Sequence, residues 1–194
     1  PASINRGEGI FLQFNKENLN KWEENPDIEK YLVNNGVIHD EIRDLDSAQR
    51  FIMMHTFAHL LINEISIECG YASSSLKERI YCNTYQKNYM GGILIYTSDG
   101  DSEGSLGGLV RLGKPGKLEI LVYNALNKAK WCSSDPICCS IGTQGPHRLN
   151  IAACHNCSIV SETSCNHFNK SLDRNLVVNT YKNLSFNYFN NIIT

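Results

Sequence analysis

Six of the eight cysteines in this 194-residue chain fall within residues 131–174, and this concentration constrains the fold more than any other feature. They are Cys132, Cys138, Cys139, Cys154, Cys157 and Cys165. Cys154 and Cys157 form a C-x-x-C pair, whose spacing lets a tight turn aim both sulfurs at one point. Two further sulfurs can then complete a tetrahedron around Zn²⁺, with Zn–S distances of about 2.3 Å. The pattern predicts a C-terminal, cysteine-rich zinc-binding subregion.

The stretch holds more thiols than one zinc ion needs, so a ligand set must be chosen. We predict that the metal ligands are Cys138, Cys154, Cys157 and Cys165, with Cys132 as the alternative to Cys138. Four thiolates leave no coordination position for water, so such a site is structural rather than catalytic. A redox pair and disulfides are the competing interpretations. The flanking Ser, Asn and Gly residues argue against the βαβ setting that a redox pair usually has.

The overall composition allows an ordinary folded domain. The chain is 42% hydrophobic and 20% charged, which is enough apolar material for a core. Its formal net charge of −2 excludes a globally basic nucleic-acid binder, so contact with DNA would need a local patch. No apolar run approaches the roughly 18 residues of a membrane span, and cysteines at metal-like spacing favour the reducing cytoplasm. Because the chain begins at Pro1, we expect it to be part of a longer subunit.

Hydrophobic patterning predicts a mixed α/β (α+β) fold with a central buried helix packed on a small sheet. The helix is expected to begin at an N-cap on Ser47 and to end at Gly70, because residues 51–69 are apolar on nearly every side. The other predicted elements are strands at 10–14 and 93–97, a short helix capped by Asn15 and broken at Pro26, a short helix capped within Ser73–Ser75, and a helix over 117–132.

Two histidines share one face of the predicted central helix. His55 and His59 are four residues apart and could both bind a metal, although the metalloprotease motif requires Glu where Thr56 stands. The alternatives are a buried polar network or contact with a partner. Asp101 and Glu103 lie in an acidic, glycine-rich loop, and carboxylates of this kind can hold a divalent cation. A metal-dependent hydrolase or nuclease that uses His55, His59, Asp101 and Glu103 is therefore the rival hypothesis.

Several stretches of the chain carry a family resemblance. They are RGEGIF at 6–11, HTFAHLL at 55–61, ECGYASSSLKERIY at 68–81, GILIY at 92–96, GDSEGSLGGLV at 100–110, WCSSDP at 131–136, ACHNC at 153–157, ETSC at 162–165 and LDR at 172–174. Together they resemble the MrfA/DrmB-type zinc-binding domain of helicase-associated proteins, in particular the DrmB form of the DISARM anti-phage defence system. The resemblance covers residues 1–178 and leaves 179–194 as a tail. Its most specific parts are the GDSEG loop and the cysteine cluster.

The resemblance implies a mixed α/β domain with a structural Zn²⁺ site that works beside a superfamily 2 helicase on DNA. Cys154, Cys157 and Cys165 match the C-x-x-C and the following cysteine of the helicase-borne members, while the upstream match is ambiguous between Cys132 and Cys138. The chain has no phosphate-binding Walker motif, so it is not the motor itself.

We therefore predict a non-catalytic module that assists a helicase partner in DNA binding or loading, and the sequence identifies no small-molecule substrate. A pure protein-interaction scaffold is a further alternative. The basic side chains that could contact DNA, or could be ordinary solvated surface, are Arg79, Lys87, Arg111, Lys114, Lys117, Lys128, Lys130 and Arg148.

Overall fold

The computed structural model describes residues 7–37, 48–83, 90–97 and 107–190. Over these ranges the chain forms a mixed α/β fold in which one long helix packs against a three-stranded antiparallel sheet, so the predicted fold class is confirmed. The helices are α1 (Lys16–Glu23), α2 (Pro26–Asn34), α3 (Ala48–Cys69), α4 (Gly108–Leu112), α5 (Leu118–Ala129) and α6 (Ile137–Ser140). The strands are β1 (Gly9–Gln13), β2 (Leu76–Asn83), β3 (Met90–Thr97), β4 (Thr143–Gln144) and β5 (Asn150–Ile151). None of the helices within the described ranges is long and apolar enough to cross a bilayer.

The first two helices are separated where the sequence predicts a break. The side chain of Asn15 caps α1 by accepting a hydrogen bond from the Asn18 N–H at 2.9 Å. Asn25 caps α2 in the same way, and Pro26 occupies the first helical position, where its missing N–H costs nothing. Leu19 of α1 and the buried residues of α2 then pack onto α3.

The central helix α3 carries most of the core. Its side chains from Phe51 to Leu61 are buried throughout, which confirms the prediction of a central helix that is apolar on nearly every side. The helix ends at Gly70, which has a φ of 74° and whose N–H donates to the Ser66 carbonyl at 3.0 Å. The predicted cap, Ser47, lies outside the described residues.

The sheet has the strand order β1-β3-β2, and both neighbours of β3 are antiparallel to it. The strand predicted at 93–97 is thus the centre of the sheet. The short helix predicted after Ser73–Ser75 is wrong, because only one 3₁₀ turn forms there and the chain continues as β2. The alternation of Leu76, Glu78 and Ile80 places one face of β2 against α3, and Glu78 is fully buried there.

Residues 143–190 contain little regular secondary structure, and side-chain amides organise much of this part. Asn150 donates to the Asn169 carbonyl at 2.8 Å and accepts from the Leu172 N–H at 3.0 Å. Asn169 in turn bonds both the N–H and the carbonyl of Val160. These side-chain hydrogen bonds satisfy backbone groups that would otherwise pair with a neighbouring strand. The conformation of this region therefore depends on tertiary contacts. The segment expected to be a tail packs against the core as far as Asn190, since the Phe189 ring lies 4.7 Å from that of Phe57.

One buried carboxyl group gives the fold a pH dependence. Asp173 is fully buried, and this burial raises its pKa to about 7 although it accepts a hydrogen bond from the Asn175 N–H. The unfolded chain releases this proton near its ordinary pKa of about 3.9. The stabilising contribution of the protonated group is therefore complete below about pH 4 and is lost as the pH rises toward about 7.

We expect Asp173→Asn to reverse this loss, because an amide stays neutral and can still accept from the Asn175 N–H. The free energy of unfolding of the variant relative to the parent should rise by about 2–3 kcal/mol between pH 5 and pH 8. Chemical denaturation of both proteins across this range measures it. Asp27→Asn on the exposed first turn of α2 is the control, and a difference that does not change with pH contradicts the prediction.

Candidate metal centre

Four cysteine sulfurs converge at the junction of α5, α6 and the C-x-x-C turn. The Sγ atoms of Cys132 and Cys154 are 3.5 Å apart, those of Cys138 and Cys157 are 3.9 Å apart, and those of Cys154 and Cys157 are 3.7 Å apart. All four sulfurs lie within 4.8 Å of one another. A regular tetrahedron with Zn–S bonds of about 2.3 Å has edges of about 3.8 Å. The four-cysteine cluster therefore has the spacing that a single zinc ion requires.

Local hydrogen bonds place the first two sulfurs. Cys132 follows the end of α5, and its N–H donates to the Asp135 carboxylate at 2.8 Å. The Asp135 N–H donates back to the Cys132 carbonyl at 2.8 Å, which closes a turn. The chain then enters α6, where the Cys138 N–H donates to the Ser134 carbonyl at 2.9 Å. The turn and the short helix together bring both side chains to the same point.

The other two sulfurs come from a tight turn at the C-x-x-C pair. The N–H groups of Cys157 and Ser158 both donate to the Cys154 carbonyl, at 3.1 and 3.0 Å. The Cys154 N–H points at the Cys157 sulfur at 3.2 Å. Ala152, just before the turn, has a φ of 46°, which is uncommon for a residue with a side chain. This geometry is what the two-residue spacing predicts for a pair of metal ligands.

Arg174 supplies the positive charge beside the cluster. Its side chain is fully buried and donates to the carbonyls of Ala152 at 2.7 Å and Ala129 at 2.8 Å. It also pairs with the Asp135 carboxylate at 3.2 Å and lies 3.7 Å from the Cys138 sulfur. Four thiolates around Zn²⁺ carry a net charge of about −2, so an adjacent guanidinium lowers the free energy of that buried charge.

The electrostatic environment already favours one thiolate. A hydrogen bond with the Cys138 thiol, assisted by the nearby Arg174 guanidinium, lowers the pKa of Cys157 to about 5. Burial raises the pKa of Cys132 to about 11. Metal ligation requires thiolates, so Cys157 is ready to bind at neutral pH whereas Cys132 must lose its proton as the ion binds.

The structure separates the predicted ligands into two groups. Cys138, Cys154 and Cys157 lie together, and Cys132 joins them as the fourth sulfur. Cys165 lies in a second group with His55, His59 and Glu78. The sequence patterns assign no role to Glu78, which they place in the short helix predicted after Ser73–Ser75, or to Arg174, which they show only as part of the LDR stretch. The spacing of residues along the sequence does not indicate either role, because both side chains contact partners that are more than 15 residues away along the chain.

The remaining predicted residues are dispersed. Asp101, Glu103 and Lys87 lie outside the described residues. The histidines themselves are completely buried. Of the basic candidates, Lys130 is partly buried, Lys128 pairs with Glu64 at 2.6 Å, and the exposed ones are Arg79, Arg111, Lys114, Lys117, Lys128 and Arg148.

The fold and the site define a class: a small mixed α/β domain with a four-cysteine cluster whose geometry is compatible with zinc. The model of the MrfA Zn-binding domain family matches residues 57–158, and the chain belongs to that family. It is also similar to the DISARM protein DrmB of Bacillus paralicheniformis, with 44% identity over 189 residues. That alignment covers 93% of this chain and 33% of the relative, so the chain spans about a third of the relative's length.

Proposed function

We propose that this chain is a non-catalytic, zinc-stabilised module of a DISARM-type protein in bacterial anti-phage defence, and that it assists a superfamily 2 helicase partner in binding or loading onto DNA. The proposed zinc ligands are Cys132, Cys138, Cys154 and Cys157. The observation that carries the proposal is the convergence of these four sulfurs within the part of the chain that matches the MrfA Zn-binding domain.

A structural role for the ion follows from the donor set. Four thiolates fill the coordination sphere and leave no position for a substrate or an activated water. The surrounding residues from 143 onward have little regular secondary structure, so cross-linking by a metal would hold a region whose backbone has few ladder hydrogen bonds. The four cysteines are thiols rather than disulfides, which supports a reducing location such as the cytoplasm.

Exposed apolar side chains support a protein partner. Trp131, Ile137 and Ile141 are 67%, 66% and 62% exposed, and all three flank the first two ligands along the chain. Large apolar residues on a surface, tryptophan above all, are typical of protein interfaces. The zinc ion would fix the backbone that presents them, which links the proposed metal site to the proposed interaction with a helicase.

Contact with DNA is supported by a basic patch at the end of α4 and in the turn that leads to α5. Arg111, Lys114 and Lys117 are exposed, and the Lys117 N–H donates to the Lys114 carbonyl at 3.0 Å. Three positive side chains within seven residues can follow a phosphate backbone despite the net charge of −2 of the whole chain. The affinity should therefore depend steeply on salt.

We expect the protein, alone or with its helicase partner, to bind DNA with an affinity that falls as salt rises. Changing Lys114 and Lys117 to glutamine should weaken binding and reduce the slope of log K against log salt by about 0.9 for each lost phosphate contact. Fluorescence anisotropy with single- and double-stranded DNA measures this slope. Glutamine at Lys16 and Lys21 on the exposed face of α1 is the matched control.

The outcome separates the alternatives. Absence of DNA binding at low salt, both alone and with the helicase, would remove the DNA role. Retention of the helicase in a pull-down without DNA would then indicate the pure interaction scaffold. The enzyme hypothesis gains no support from the described residues, because His55 and His59 are fully buried and a substrate could not reach them without a rearrangement.

A further inference from the structure

A second group of metal-binding side chains lies outside the four-cysteine cluster. His55 and His59 come from α3, Glu78 from β2, and Cys165 from the segment that follows the C-x-x-C turn. The first three side chains are completely buried, and Cys165 is 5% exposed. Their ligand atoms lie within 4.8 Å of one another. Four donor groups drawn from three separate segments therefore meet inside the core.

The distances within this group are close to the edges of a coordination polyhedron. The Nε2 atom of His55 is 3.0 Å from Glu78 Oε1 and 3.2 Å from Cys165 Sγ, and the Nε2 atom of His59 is 3.4 Å from the same carboxylate oxygen. Tetrahedral Zn²⁺ with typical bonds to N, O and S has edges of about 3.3–3.6 Å. The observed separations are close to this range.

The hydrogen bonds around the group orient the donors inward. The Nδ1 atom of His59 lies 2.9 Å from the Ser158 carbonyl, which can only accept, so Nδ1 carries a proton. In the neutral ring the Nε2 lone pair then faces Glu78 and the other donors. A histidine held through Nδ1–H by a carbonyl is the usual arrangement at a metal site, since it fixes the tautomer of the ligand.

Cys165 and Glu78 show the same inward orientation. The N–H groups of His167 and Asn169 both point at the Cys165 sulfur at 3.3 Å, which favours a thiolate there. The second carboxylate oxygen of Glu78, Oε2, is buried and has no hydrogen-bond partner within the described part of the chain. A cation bound to the Glu78 carboxylate would compensate its buried charge, and burial of a charge without such compensation is costly.

The charges also balance. One carboxylate and one thiolate carry two negative charges, and two neutral imidazoles add none. A divalent cation among them gives a neutral site, which is the form that a fully buried position tolerates best. Imidazole and thiolate donors with one carboxylate suit Zn²⁺ better than Mg²⁺ or Ca²⁺.

We propose that His55, His59, Glu78 and Cys165 form a second, closed Zn²⁺ site that joins α3 and β2 to the segment after the C-x-x-C turn. Ser158 connects it to the four-cysteine cluster, because its carbonyl binds His59 and it directly follows Cys157. All four positions are occupied by protein donors, so this site is structural. Its existence does not depend on any role in DNA binding.

The test is the number of zinc ions per folded chain, measured by elemental analysis of protein produced in zinc-supplemented medium. We expect two ions in the parent protein and one in His59→Gln and Glu78→Gln. The control is His167→Gln, since His167 is exposed and its ring lies 5.4 Å from that of His55 yet it is outside the donor group. Circular dichroism establishes that each variant is folded before its metal is counted.

A measurement on the parent protein keeps the test valid if the variants do not fold. The two donor sets together hold five sulfur and three nitrogen or oxygen donors. X-ray absorption at the zinc edge should therefore show an average of 2.5 sulfur and 1.5 nitrogen or oxygen donors per ion. Sulfur donors alone would overturn the second site and leave the four-cysteine site intact.

The two metal proposals fail in distinguishable ways. One zinc ion that is lost in Cys132→Ser and kept in His59→Gln refutes only the second site. One ion that is lost in His59→Gln and kept in Cys132→Ser refutes only the four-cysteine site. A folded chain without zinc refutes both, and the buried histidines would then be protonated partners of Glu78.

Discussion

Replacing Cys157 with serine should abolish zinc binding at the four-cysteine cluster and unfold the region from Cys132 to Arg174. The hydrogen bond with the Cys138 thiol and the nearby Arg174 guanidinium lower the pKa of Cys157 to about 5, and its sulfur lies within 4 Å of those of Cys138 and Cys154. Structural zinc sites contribute roughly 10–16 kcal/mol of apparent binding free energy in small zinc-finger peptides. That is comparable to the entire stability of about 5–15 kcal/mol of a typical domain. Loss of the ion should therefore remove cooperative folding of this region.

The effect is measured by zinc content together with hydrogen exchange of the affected region. Chelation of the parent protein should reproduce the exchange pattern of the variant. Cys69→Ser is the matched control, because Cys69 lies at the end of α3 outside both groups of ligands. A Cys157→Ser protein that keeps its full zinc content and its protection from exchange would refute the site.

A pair of variants tests the fourth ligand. If Cys132 completes this cluster, Cys132→Ser should lose the ion of the four-cysteine site, whereas Cys165→Ser should keep it. The reverse result would restore the ligand set that includes Cys165. We expect the loss in Cys132→Ser because the sulfurs of Cys132 and Cys154 are only 3.5 Å apart.

Replacing Arg174 with methionine should destabilise the protein by about 3–5 kcal/mol, the typical cost of removing one partner of a buried ion pair. Methionine fills much of the same volume but cannot donate. The carbonyls of Ala129 and Ala152 would lose their partner, and the Asp135 side chain, which is only 3% exposed, would keep its charge without the guanidinium. Asp135 also holds the turn at Cys132, so the affinity for zinc should fall as well.

Chemical denaturation of Arg174→Met and the parent protein measures the loss of stability. Arg174→Lys should recover only part of it, because one ammonium group cannot span three acceptors as a planar guanidinium does. Arg111→Met, at an exposed position on α4, should change the free energy of unfolding by less than about 0.5 kcal/mol. If Arg174→Met and Arg111→Met both changed the free energy of unfolding by a similar, small amount, the predicted stabilisation by the buried hydrogen bonds of Arg174 would be wrong.

Local patterns were enough to predict the elements in which neighbours in sequence are neighbours in space. The helix α3 follows from an unbroken apolar run that ends at Gly70, and α5 follows from helical periodicity over residues 117–132. The strand β2 was missed, because Ser73–Ser75 predict a helix N-cap and Glu78 and Arg79 fit the first turn of such a helix. Glu78 stays buried within that strand only because His55 and His59 on another element face it.

The candidate site divides in the same way. The turn at Cys154 and Cys157 is a consequence of two-residue spacing, and the sequence by itself determined that these sulfurs share one point. Which more distant sulfurs join them was decided by the tertiary structure, since the path of the chain after α5 brings Cys132 to the cluster and the loop after Cys157 carries Cys165 to α3. The physical reason is separation along the chain. Residue spacing controls contacts within a turn, whereas contacts across 19 to 110 residues form only when the chain folds and buries the groups together. For the same reason, only the folded chain shows that Arg174 and Glu78 have such partners.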